Sequence, residues 1–119
     1  MRQAGIIAAA GLISLQEMTK RLHIDHANAQ TLAAGLAELP GIEIDTSAVY
    51  TNLVFFKLAE SVPLSYVDIS AKLKTDYNIL MSGGYHTTQF RAVTHYWITE
   101  KEVDALLNAL QEILQSAPN

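Results

Sequence analysis

The sequence has 119 residues, half of them hydrophobic and 17% charged, a composition that fits one globular domain with one core and excludes a disordered chain. Eight Lys and Arg stand against twelve Asp and Glu, a net charge of −4, and no basic block or aromatic-basic interleaving follows a phosphate backbone, which argues against nucleic acid as a partner. With no cysteine, disulfide frameworks and thiolate metal cages are ruled out, and a reducing compartment, the cytoplasm, is the expected location.

The chain opens MRQAGIIAAAGLISL, small or apolar on nearly every side from Ala4 to Leu15, the signature of a helix that is covered all round. The opening imitates a short signal peptide, but Gln3 and two glycines interrupt it, and Glu17, Lys20 and Arg21 follow without a convincing cleavage site. It is also shorter than the roughly 20 residues a membrane span needs, so no membrane role is expected. Either the domain folds over this helix or a missing partner covers it.

The first helical block runs from about Gln3 to Leu39, with a plausible break near Met18-Thr19. Its second half carries the stripe Leu22, Ala29, Leu32, Ala33, Leu36 and Leu39 and is stopped by Pro40-Gly41. Gly41 to Asp45 alternates apolar and polar, which predicts a half-exposed strand. Asn52 to Leu58 is apolar on both faces over its middle, which predicts an interior strand covered on both sides. Ser65 to Asp76 places Ile69, Leu73 and Tyr77 four apart and reads as a helix.

Asn78 to Met81 reads as a short strand broken by Ser82-Gly83-Gly84, and Phe90 to Tyr96 as another. Thr99 to Glu102 is a capping box that starts a helix with Val103, Leu106, Leu107, Leu110, Ile113 and Leu114 on one face. The order helix, strand, strand, helix, strand, strand, helix defines an α+β fold, a small mixed or antiparallel sheet covered by helices. No internal repeat is present.

Few residues invite chemistry. His23 and His26 are three apart on a helix, with Asp25 adjacent, a spacing that can bring two imidazoles to one metal; no third ligand is fixed, and a solvated polar face explains them better, so no metal is expected. No G-x-S-x-G, phosphate-binding loop or dinucleotide fingerprint occurs, and Ser82-Gly83-Gly84 is read as a turn. Alternation puts Arg91, Val93 and His95 on one face of the last strand and Phe90, Ala92 and Thr94 on the other. Arg91 either lies along an edge with its head in water or presents a planar fork to a carboxylate. His95 is better explained as a hydrogen-bonded packing residue than as a catalyst.

The segments MRQAGIIAAAGLISL, DHANAQTLAAGLAELPGIEID, TNLVFF and FRAVTHYWITEKEVDALLNAL, in this order, resemble the C-terminal part of the low-specificity L-threonine aldolases, pyridoxal-phosphate (PLP) enzymes of the aspartate-aminotransferase-like fold. The likeness runs from residue 1 to about residue 115. It implies that the chain is the C-terminal small domain of a fold-type-I enzyme, with residues 1–18 an interdomain and interface helix and 19–119 the small domain. In that family the counterpart of MRQAG is internal, so Met1 is expected to be an internal methionine, with the absent large domain and a neighbouring subunit covering the first helix.

The resemblance further implies an intact aldehyde-lyase that cleaves L-threonine or L-allo-threonine to glycine and acetaldehyde, with a lysine holding PLP as a Schiff base, and a cytoplasmic homo-oligomer. By position, Arg91 matches the family arginine that grips the substrate carboxylate, and Arg2 matches one that reaches the cofactor phosphate of an adjacent subunit. The Schiff-base lysine and the groups that stack on and face the cofactor ring lie upstream in the family. No catalytic residue is therefore expected in this chain, and Lys57, Lys72 and Lys74 match none. The segment Ser82 to Gln89 departs from any fixed pattern, which leaves its contacts open. The alternative is a stand-alone α+β ligand-binding or interaction module derived from such an enzyme.

Overall fold

The computed structural model describes residues 2–83 and 88–117, with the side chains of residues 82 and 83 left out. The first helical block is interrupted where the sequence suggested. Helix α1 spans Ala4–Gln16, a 3₁₀ turn spans Met18–Arg21, and helix α2 spans Leu22–Ala37. There follow strand β1 (Ile42–Glu43), strand β2 (Leu53–Leu58), helix α3 (Tyr66–Tyr77), strand β3 (Ser82–Gly83), strand β4 (Phe90–Val93) and helix α4 (Glu100–Gln115).

The four strands form one antiparallel sheet in the order β1-β2-β4-β3. The β2–β4 ladder is the longest, from Leu53 opposite Val93 to Phe56 opposite Phe90. Alternation sends Val54, Phe56, Phe90 and Ala92 to one face, where they meet Leu32 and Leu36 of α2, Ile69 and Leu73 of α3, and Val103, Leu110 and Ile113 of α4. All three helices pack on that face. Gly35 permits close approach of α2 and α4: a Cβ there would lie 2.4 Å from a methyl of Leu107.

The covering of β2 departs from the sequence reading. It is an interior strand, flanked by β1 and β4, but Leu53 and Phe55 on its second face are 40% and 44% exposed, because no helix among the described residues lies over that side. The second departure concerns residues 78–81. Asn78 takes a left-handed conformation (φ 56°) that caps α3, and the Ile79 amide bonds back to the Leu73 carbonyl at 2.9 Å. This turns the chain, so strand pairing starts at Ser82, inside the expected turn; Gly84 lies outside the described residues.

Strand β4 is shorter than expected. The Thr94 amide still donates to the Asn52 carbonyl at 3.0 Å, but the Thr94 hydroxyl turns inward to the Asp25 carbonyl at 2.6 Å and the chain closes a turn from His95 to Ile98. Leu22, placed in the core stripe by spacing, is 46% exposed beside the 3₁₀ turn. Both α3 and α4 begin on capping boxes; the one at Ser65 and Asp68 is fully reciprocal, with contacts of 2.6–3.2 Å.

Helix α1 stands apart. None of its residues is buried, and within the chain its principal contacts are with the 3₁₀ turn. No helix among the described residues is long and apolar enough to cross a membrane.

Candidate functional site

Arg91 is the second residue of β4, opposite Phe55 of β2 on one side and Ser82 of β3 on the other. Pleat alternation fixes its direction: with Phe90 and Ala92 buried in the core, Arg91 must rise from the open face, among Leu53, Phe55 and Val93. Its side chain is exposed and makes no hydrogen bond or ion pair among the described residues. The expected alternation of this strand therefore holds, with Arg91, Val93 and His95 outward. A cleft of about 420 Å³ runs along this end of β4, lined by Arg91, Val93, His95, Leu80, Met81 and Glu102 among others. His95 Nδ1 accepts the Trp97 amide at 3.2 Å, which ties the imidazole into the turn after β4.

Arg2 is exposed in the turn ahead of α1. The chain does not bring it to Arg91, because α1 carries it away from the sheet. His23 and His26 are both exposed, while Asp25 between them is buried and faces Arg21, with Arg21 Nη2 3.4 Å from Asp25 Oδ1. The three do not converge, and no group of three metal-ligating side chains occurs among the described residues.

Sequence reasoning passed over Arg21. Its guanidinium lies 4.5 Å from the Tyr96 ring centroid as well as against Asp25, pinning the joint between α1 and α2 to the turn that follows β4. Its i,i+4 spacing from Asp25 was the available signal.

The five lysines bear on whether a covalent cofactor anchor exists here. Lys20, Lys57, Lys74 and Lys101 are exposed and Lys72 is half-exposed on α3. An activated Schiff-base lysine needs a desolvated setting or a neighbouring cation that lowers its proton affinity, and none of these positions offers a desolvated one.

The groups whose proton affinity is displaced serve as caps and ties. Glu102 sits below its ordinary value because the Thr99 hydroxyl and amide donate to it. Ser65 does the same for Asp68, and Ser47 for Asp45, whose carboxylate caps the short 3₁₀ turn Thr46–Ala48. Tyr77 is raised by its hydrogen bond to Glu112, 2.8 Å away.

PLP enzymes of fold type I contain the same helix-backed antiparallel sheet. The chain superimposes with a TM-score of 0.74, at 30% identity over 92% of its length, on 28% of the cystine C-S lyase C-DES, solved in complex with its reaction product cysteine persulfide and, as a mutant, with glycine covalently linked to the PLP cofactor. A PLP-dependent aminotransferase from Streptococcus suis shares the fold at a TM-score of 0.72 and 19% identity, over 96% of this chain and 30% of that one.

The chain belongs to the Beta-eliminating lyase family, whose profile matches residues 1–61. Low-specificity L-threonine aldolase 1 of Arabidopsis thaliana is 32% identical over 114 residues, 96% of this chain and 31% of that protein. Low specificity L-threonine aldolase of Escherichia coli K12 is 40% identical over 60 residues, half of this chain and 17% of that protein. The chain thus spans about a third of the length of the Arabidopsis relatives it matches, and the resemblance read from its motifs is borne out.

Proposed function

We propose that this chain is the C-terminal part of a PLP-dependent aldehyde-lyase that cleaves L-threonine or L-allo-threonine to glycine and acetaldehyde. In this reading residues 19–119 form the small domain and residues 1–18 an interface helix, in a cytoplasmic homo-oligomer. The observation that carries the reading is Arg91: an exposed guanidinium, without a hydrogen-bond or ion-pair partner among the described residues, standing on an apolar sheet face where a carboxylate can be gripped at two points.

The residues present fit one side of a PLP site and not the other. In this reading Arg91 takes the α-carboxylate of the amino acid, and Arg2, exposed ahead of α1, takes the cofactor phosphate of an adjacent subunit. In this reading the covalent anchor and the ring-facing groups come from outside these residues, and Lys57, Lys72 and Lys74 have no part in them. The cofactor supplies the electron sink for Cα–Cβ cleavage. This chain holds and orients the amino acid, and its apolar residues Phe55 and Val93 keep water from the Arg91 contact once the open face is covered.

Reductive trapping tests the assignment. PLP and borohydride are added to the 119-residue chain and to the complete polypeptide, and the adducts are mapped. The complete polypeptide should carry one adduct outside these residues and release acetaldehyde from threonine, and the chain alone should do neither. A stoichiometric adduct on one lysine of this chain, with aldehyde release, would overturn it.

A further inference from the structure

The register of the sheet exposes an irregularity beside the Arg91 strand. Because the Thr94 amide donates to the Asn52 carbonyl, the hydrogen-bonded pairs between β2 and β4 are 52–94, 54–92 and 56–90. The next is Leu58 with Thr88. At that place the Leu58 amide donates to the hydroxyl of Tyr66 at 3.1 Å, and the same hydroxyl donates to the Thr88 carbonyl at 2.5 Å. A phenol has one proton to give and lone pairs to accept, and both functions are used here. The Tyr66 ring lies 4.9 Å from Phe90, which in turn stacks on Phe56 at 5.1 Å.

We infer that Tyr66 is a positioning residue for Arg91: its hydroxyl replaces the last rung of the β2–β4 ladder and sets where β4 begins. The inference rests on the proposed reading of Arg91 as the carboxylate grip. Two hydrogen bonds in series hold Leu58 and Thr88 farther apart than a direct rung does, so the chain diverges from β2 at Thr88 and converges by Phe90. Arg91 is the next residue, and the direction of its side chain follows from that convergence. Tyr66 is itself fixed, as the first residue of α3 behind the Ser65–Asp68 capping box. Without the hydroxyl, the Leu58 amide and the Thr88 carbonyl are left to water, and the start of β4 is re-aimed.

Tyr66→Phe removes the hydroxyl and keeps the ring on Phe90, so the core survives. In the complete, cofactor-loaded enzyme, KM for L-threonine should rise about five- to tenfold with kcat within about twofold, the scale of one hydrogen bond acting on ground-state binding. Hydrogen exchange at the Leu58 amide should accelerate at least about tenfold while Val54 and Ala92 stay protected. In an Arg91→Lys background the Tyr66→Phe effect on KM should largely disappear, since a residue that works through Arg91 has nothing left to aim. Unchanged exchange at Leu58, an unchanged KM, or penalties that simply add in the double variant would each overturn the inference. Arg91→Lys with unchanged KM is the separate failure of the carboxylate reading, and takes this inference with it.

Discussion

Helices α1 and α4 are similar in length, and the more apolar of the two is the one with nothing buried. In α1, Ile6 is 77% exposed and Leu15 70%; in α4, Val103, Leu106, Ala109, Leu110 and Ile113 are buried among helices and glutamates occupy the first turn. α1 starts on Gln3 in a left-handed conformation (φ 58°) with no side-chain cap, whereas α4 starts on a capping box. Apolar content says how much a helix gains from being covered. Periodicity says whether one neighbour can do the covering: a single stripe needs one layer, which the chain supplies for α4, and an all-round apolar surface needs several, which it does not supply for α1.

That comparison can be broken most directly by truncating each helix. Leu110→Ala, at a fully buried position, should cost about 2–5 kcal/mol in denaturant unfolding of the chain, and Ile7→Ala in α1 less than about 0.5 kcal/mol. Equal losses would mean that α1 packs on the body in solution.

Next in size is the open sheet face, uncovered in this chain as α1 is. Arg91→Lys in the complete enzyme keeps the charge but loses the planar two-point contact, at a penalty on the order of 1.5–3 kcal/mol in kcat/KM. It should fall mainly on KM, since the carboxylate does not change during Cα–Cβ cleavage. Steady-state kinetics with cofactor occupancy checked by absorbance reads it, and an unchanged kcat/KM would return Arg91 to the role of a surface strand residue.

A smaller effect separates the helices by pH. Glu102 and Asp68 are held below their ordinary carboxylate values by donors in the folded state, so their contribution to stability is present above the unfolded values, about 4, and is lost as pH falls through the lower folded ones. Acidification from pH 5 toward 3, on the order of a unit either side of those values, should loosen the starts of α3 and α4, read by amide exchange, and leave α1 unaffected. Glu102→Gln should abolish the α4 part of the response.

The smallest effect on the monomer is the most visible in assembly. The exposed surface of α1 should drive self-association of the 119-residue chain, and Ile7→Glu with Leu12→Glu should suppress it with little change in monomer stability. Light scattering that shows a strict monomer at high concentration, with α1 ordered, would sink the idea.

Much of this was legible in the sequence because helix signals are local. The break at Met18-Thr19, the stop at Pro40-Gly41 and the box at Thr99 and Glu102 all appear within a few residues of where spacing puts them. Strand limits are set by partners elsewhere in the chain, and there the reading slipped: Ile79 to Met81 has strand composition, yet the left-handed turn at Asn78 leaves β3 to begin at Ser82. At the candidate site, the outward face of Arg91 followed from alternation alone. Its placement opposite Phe55 needed the register, and the Tyr66 bridge needed three-dimensional contact between residues 22 apart, which no pattern within one element encodes.

The sheet order has a consequence for how the chain is made. β2, the segment LVFFKL, takes one neighbour from the residues just before it and the other, β4, from residues more than thirty positions later. During synthesis from the N-terminus, β2 emerges with β1 beside it and its opposite edge bare until Phe90 to Val93 leave the ribosome. For that interval it is an unpaired, largely apolar edge of the kind that recruits other strands, and the bonds from Thr94 to Asp25 and from Asn28 to Ile98 close only at the end. Ribosome-bound chains halted before Phe90 should therefore depend on chaperones, and chains halted well after Ile98 should not.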